Sequence, residues 1–182
     1  FKPWPASPSK NDVRPGSKWY AINRDRTIVA FVMGVDPVAS GVRIVNTHND
    51  SVHLKLKPKP FRESVGISLF DTTVHGGIQN YQWVNRPLAL IGRVTRMDGS
   101  VVTIDIGHQA GDPVLLIPDI APHIDNDFRA RTNRDVIQTE ELDPVLALTS
   151  DAAMAALKSK YGLTADDFLA ADLEIVPAQM PV

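Results

Sequence analysis

Apolar positions along the chain fall mostly in short runs bounded by turn residues, a pattern of strands rather than long amphipathic helices. Lys18–Asn23 and residues 27–33 are two such runs, separated by Arg24-Asp25-Arg26, and predict a hairpin. The second is apolar without a break from Ile28 to Met33, which predicts a strand covered on both faces. Residues 34–41 carry Pro37 and Ser40 and read as a loop, and residues 42–47 as the next strand. Leu54-Lys55-Leu56-Lys57 alternates, so one face is wet and one buried, and Pro58 and Pro60 are expected to break the strand. Val65 to Phe70 is a further strand candidate, followed by the pair Gly76-Gly77, which permits positive φ and close backbone approach. Leu88–Thr95 and Val101–Ile106 flank Asp98-Gly99, the strongest hairpin signal in the chain. Residues 113–118 form another short apolar run.

The last third changes character. Residues 125–140 are charged, with few apolar anchors, and predict an exposed loop. Ser150 is placed to cap a helix in which Met154, Leu157 and Tyr161 share an apolar face, and Gly162 to end it. Thr164 caps a shorter helix, with Asp166 and Asp167 at its positive end. Residues 173–176 close as a strand. The fold class is therefore α/β in the broad sense (α+β), mostly strand with one or two helices.

Composition narrows the chemistry. The 182 residues suffice for one large domain, or one domain and part of another. A net charge of −2 gives no electrostatic case for nucleic acid. No apolar run approaches the roughly 20 residues that span a bilayer. The segment Phe1-Lys2-Pro3-Trp4-Pro5 lacks the apolar core of a signal peptide, and a start without Met suggests a processed or trimmed piece. Without cysteine there are no disulfides or thiolate ligands, so any metal must be held by imidazole and carboxylate, as zinc, cobalt or manganese can be.

His48 and Asp50 sit two apart where the apolar run of residues 44–47 turns polar. In an extended chain they point to the same side and can act as a metal ligand and its orienting carboxylate. The alternative is a plain turn between strands, with Asn49 and Asp50 as turn formers.

The segment His48-Asn49-Asp50-Ser51 resembles the His-x-Asp-Ser-Pro element of the M18 zinc aminopeptidases. Gly76-Gly77-Ile78, Tyr81-Gln82-Trp83-Val84 and Pro87-Leu88-Ala89-Leu90 follow in the order seen in the bacterial aminopeptidase 1 branch. Lys160-Tyr161-Gly162-Leu163 and Asp172-Leu173-Glu174-Ile175-Val176-Pro177-Ala178 are similar to that branch too. The resemblance implies that residues 1–57 are the N-terminal part of a peptidase domain with an incomplete sheet. It makes 58–176 a β-rich dimerisation insert and 177–182 the start of the return to the peptidase domain.

By the same resemblance His48 is a metal ligand and Asp50 the catalytic-site acid that orients it. Tyr81 stands where a histidine of other branches reaches a neighbouring subunit's substrate pocket. A complete site holds two Zn2+, with Co2+ or Mn2+ as alternatives, and hydrolyses peptide substrates in the cytoplasm. Partners are further copies, as dimer and dodecamer, together with a C-terminal half or second chain. The bridging Asp, the base Glu, the second-metal Glu and the final His of the family all come after the insert. Val52 stands where the family usually has Pro, and His53 where this branch often has Arg. Asn85-Arg86 occupies the place of an Asp-Arg-Asp element. Glu140-Glu141 resembles the family's glutamate pair but lies in the charged loop. His75, His108 and His123 read as loop, surface and structural residues. The other reading is a non-catalytic assembly module that kept the insert and lost the chemistry.

Overall fold

The computed structural model describes all residues except Asp25, Arg134, Leu148, Thr149 and 179–182, and the side chains of Phe128 and Ser150. The expected Ser150 cap and the last residues of the segment 177–182 therefore lie outside the described residues. The chain divides into two compact units, Phe1–Asn49 and Asp50–Val182.

In the first unit, β1 (Lys2–Pro3), β2 (Lys18–Asn23) and β3 (Thr27–Val32) form a small sheet in that order. The predicted hairpin is present, with β2 and β3 antiparallel from Asn23↔Thr27 to Lys18↔Val32. Its apolar centre is aromatic. Trp4 packs edge-on against Trp19 and Phe31, with ring centroids 5.6 and 5.2 Å apart. The Trp19 Nε1–H donates to the Asp12 carbonyl at 2.8 Å, so the buried end of the indole is satisfied.

Two expectations fail here. β3 is exposed along its length apart from Phe31, so the unit does not cover it on both faces. Residues 42–47 form no strand: after a 3-10 turn at Val38–Ser40, residues 41–50 have no regular structure. A β-branched run becomes a strand only where a neighbour accepts its ladder bonds.

The second unit is built on β4 (His53–Ser64). With β5 (Ile67–His75), β6 (Leu88–Thr95), β7 (Val101–Ile106), β8 (Val145–Ala147) and β9 (Ala171–Pro177) it forms a six-stranded antiparallel sheet, ordered β7-β6-β9-β4-β5-β8. Alternation assigns the faces. Leu54 and Leu56 of β4, Phe70 of β5, Leu88, Leu90 and Val94 of β6, and Leu173 and Ile175 of β9 point into one core. α1 (Ser150–Tyr161) covers it with Ala153 and Leu157, and the 3-10 turn Ala165–Ala170 adds Phe168. Phe168 meets Phe61 edge-on at 4.7 Å. The expected Thr164 cap holds, with Asp167 accepting from the Thr164 N–H and hydroxyl at 2.8 and 2.9 Å. No helix among the described residues is long and apolar enough to cross a membrane. The mostly strand α+β class stands.

β4 does not end at the prolines. It runs on to Ser64, and the register with β5 shifts between Leu56 and Phe61. Proline cannot donate to a ladder, and a bulge is where none is required of it. The candidate strand at 65–70 also resolves differently: Val65 and Gly66 are the two central residues of a hairpin turn, at φ 52° and 75°. Two consecutive positive φ values mark the tight turn preferred between twisted strands. A β-branched residue is a poor choice for the first position.

Beyond its short pairing with β8, the outer edge of β5 is sealed by side chains. Asp143 accepts from the Thr72 N–H at 2.8 Å and from the Arg62 guanidinium at 2.6 Å. Arg62 also donates to Asp71 at 2.6 Å. Hydrogen bonds to Asp71 and then Asp143 hold the Arg62 pKa above its ordinary value. The charged segment 125–140 is mostly exposed, but it is fastened: Arg131 donates to both Glu141 oxygens at 2.9 and 3.0 Å, and Ile137 is buried.

Val65→Asn is expected to raise stability by about 1 kcal/mol, read from chemical denaturation, because asparagine tolerates the left-handed region. Asp143→Ala should cost about 2 kcal/mol, since it removes a charge-assisted bond and leaves the Thr72 N–H unpaired. An unchanged denaturation midpoint would show that the edge of β5 needs no such seal.

Candidate metal site

The N-terminal end of β4 carries the polar cluster of the second unit. His53 and His75 are register partners across β4 and β5, so their side chains leave the sheet on the same face. That face is opposite the one on which Leu54 enters the core. The two imidazoles stack, with centroids 4.4 Å apart and planes inclined by 15°.

Each ring has a distinct setting. The His53 Nδ1 lies 2.9 Å from the Ser51 carbonyl. A carbonyl only accepts, so Nδ1 carries the proton of that bond. The His53 Nε2 then faces Glu174 of β9, with Oε1 at 3.5 Å. The His75 Nε2 contacts the Asp50 carboxylate through Oδ2. One ligand atom each from Asp50, His53 and His75 lies within 4.8 Å of the others. His53 is 4% exposed, whereas Asp50 and His75 face solvent. Lys55 is held aside by Asp172 of β9, with Nζ 3.2 Å from Oδ1.

The turn after β5 keeps the cluster compact. Gly76 adopts φ 79°, and a Cβ there would come within 2.9 Å of the Val52 Cγ1. The strand end thus passes closer to residue 52 than a side chain permits.

The sequence-expected residues are distributed as follows. His48 is exposed in the irregular stretch of the first unit. Asp50 opens the second unit, and the imidazole it meets there is that of His75. Tyr81 lies on the 3-10 turn Asn80–Gln82, partly exposed, with its hydroxyl donating to the Gln79 side chain. His75 is the last residue of a strand, not a loop residue. His108 is a surface residue, its Nδ1 2.7 Å from Asp105 Oδ1, and His123 is exposed. Glu141 is engaged by Arg131. Sequence reasoning missed the pairing of His53 with His75. The signal for it was the alternation of β4, which sets His53 on the face away from Leu54. Locating His75 opposite it required the turn at 65–66.

The chain matches the family described as aminopeptidase I zinc metalloprotease (M18) over residues 6–182. It is 33% identical over 177 residues to a probable M18 family aminopeptidase 1 of Clostridium acetobutylicum, covering 91% of this chain and 38% of that protein. The solved structure of an M18 family aminopeptidase from Thermotoga maritima superposes with a TM-score of 0.79 at 33% identity, over 90% of this chain and 38% of that one. A more distant structure, the S. cerevisiae mApe1 dodecamer, shares the fold at 21% identity and a TM-score of 0.59. The chain belongs to the M18 family. It spans about 38% of the length of the curated relative from Clostridium.

Gly76→Ala is expected to lower stability by about 1–2 kcal/mol through its backbone strain and the contact with Val52. Val52→Ala in the same chain should return only the contact part, so a double-mutant cycle separates the two contributions.

Proposed function

We propose that this chain is part of a metal-dependent aminopeptidase that removes N-terminal residues from peptides. In this reading His48 ligates the first metal, and Asp50 is the carboxylate that fixes the orientation of that imidazole and raises its basicity. The observation that carries it is the segment His48-Asn49-Asp50-Ser51 inside a family match running from residue 6 to residue 182. The donor set fits the family's metal: imidazole and carboxylate suit zinc, and the chain has no thiolate to compete.

Bound zinc supplies a Lewis acid and lowers the pKa of a coordinated water. This chain's own part is narrower. His48 gives one nitrogen donor, Asp50 orients it, and Tyr81 lines the substrate pocket of a neighbouring copy. The bridging carboxylate, the general base and the remaining ligands belong to a longer polypeptide or a second chain. Two Zn2+ fill the complete site, with Co2+ or Mn2+ able to replace them.

Residues 1–57 then belong to the peptidase domain, 58–176 to an oligomerisation insert, and 177 onward to the return. Supporting a peptidase part at the N-terminal side, the first unit exposes Ile28 and Val32 on one face of β3 and Val29 on the other, apolar side chains that a completed peptidase domain would cover. Val65, Met97, Ile120 and Ile124 are exposed on the second unit, where contacts between copies would bury them. In this reading the copies associate as homo-oligomers, with the dimers and dodecamers that the family resemblance implies.

The test uses the purified chain together with any polypeptide that co-purifies with it. His48→Ala is expected to reduce metal-dependent release of N-terminal residues from peptides to background. Asp50→Asn should lower it by about 10- to 100-fold. Undiminished hydrolysis in His48→Ala would remove His48 from the metal site.

A further inference from the structure

We propose that His53, His75 and Asp50, completed by Glu174, form a second divalent-metal site whose ligands do not include His48. It takes a borderline cation such as zinc, or cobalt in its place.

The argument begins with the backbone. Register pairing sets two imidazoles side by side from adjacent strands. The cation therefore meets ligands already held by a sheet. The Ser51 carbonyl takes the His53 Nδ1 proton, so Nε2 is left as the donor atom, as in most metal-ligating histidines. That nitrogen is nearly enclosed and faces the Glu174 carboxylate. A cation seated there would be met by the imidazole nitrogen and by the carboxylate together. The His75 Nε2 stands against the Asp50 carboxylate, the position from which both can meet one cation.

One divalent ion can be met by all four groups. Two neutral imidazoles and two carboxylates balance a charge of +2, and N2O2 is a four-coordinate set suited to zinc. A magnesium or calcium ion would instead call for oxygen ligands throughout. Lys55, the residue of β4 that shares this face, is occupied by Asp172 and does not supply the charge. One ligand atom each from Asp50, His53 and His75 stands within 4.8 Å of the others, and Glu174 Oε1 lies 3.5 Å from the His53 Nε2. The exposed side chains of Asp50 and His75 can rotate inward to the ~2 Å distances of a zinc site.

The inference does not depend on peptidase activity, and its readout is spectroscopic. Cobalt(II) is titrated into the metal-stripped chain, and the visible d–d bands of four-coordinate cobalt are followed. Wild type and His48→Ala should give the same spectrum with one ion bound. His75→Asn should lose affinity on the order of a hundredfold or more, because a ligand costs at least what its supporting partner does. His75 is exposed, so this variant keeps its fold, which circular dichroism without metal verifies. Glu174→Gln, which leaves both imidazoles in place, should also weaken cobalt binding. Zinc should also raise the melting temperature of wild type and His48→Ala but not of His75→Asn. A four-coordinate spectrum that survives His75→Asn, one that disappears in His48→Ala, or none in wild type overturns the proposal. Loss of hydrolysis with the His75-dependent spectrum intact leaves this site standing, whatever becomes of the peptidase reading.

Discussion

The pairing of β4 with β5 is the constraint on which the second unit depends. Strand side chains alternate with a period of two, so a one-residue slip would carry Leu54 and Leu56 out of the core and His53 into it. The same register that buries the leucines sets the two imidazoles together on the opposite face. β4 also bonds to β9 on its other side, at Leu54↔Ile175 and Lys55↔Glu174. Core and imidazole pair are thus consequences of one ladder. Burial of a leucine or isoleucine contributes roughly 1.5–3 kcal/mol. Several such residues on β4, β5 and β9 make a slipped register far less stable than the observed one. The polar cluster inherits its geometry from an apolar preference that has nothing to do with metals.

Much of this was legible in the residues. Asp98-Gly99 forms the expected hairpin, in which Asp98 accepts from the Ser100 N–H at 2.8 Å and Thr95 faces Val101. Hydrogen bonds from the Ser100 hydroxyl and then from its N–H hold the Asp98 carboxyl below its ordinary pKa. The alternation of residues 54–57 gave the correct faces, and the residues chosen for the apolar side of α1 do meet the core. What failed did so for want of neighbours. Residues 28–33 read as a doubly covered strand, but apolarity reports what a segment can bury, not what is present to bury it. Residues 42–47 have strand-forming side chains and no ladder partner. Pro58 and Pro60 read as breakers because the rule concerns regular ladders, and the register shift between Leu56 and Phe61 exempts them.

The candidate site was legible only in part, for a related reason. His48 and Asp50 are close in sequence, so a short motif brings them to notice. His53 and His75 are joined only through a turn whose first central residue, Val65, carries no turn signal. The residue types were plain, and the contact between them was not. Glu174 is further removed still, since it arrives on a strand separated from β4 by most of the unit.

The division between the two units falls inside the motif, with His48 on the earlier side and Asp50 on the later. Asp50 is anchored near the sheet through His75, and Ser51 through His53, whereas residues 41–49 have no regular structure. The departures from the family pattern fall at the same place. Val52 lies against Gly76, and His53 stacks on His75. A proline at 52 would remove a backbone donor, and an arginine at 53 would put a fixed positive charge beside Glu174 where a metal cation would otherwise sit. The substitution at 53 thus puts an imidazole nitrogen, a potential ligand, where that charge would stand. The proposed second site therefore rests on this chain's own residue at 53 rather than on the peptidase motif in general.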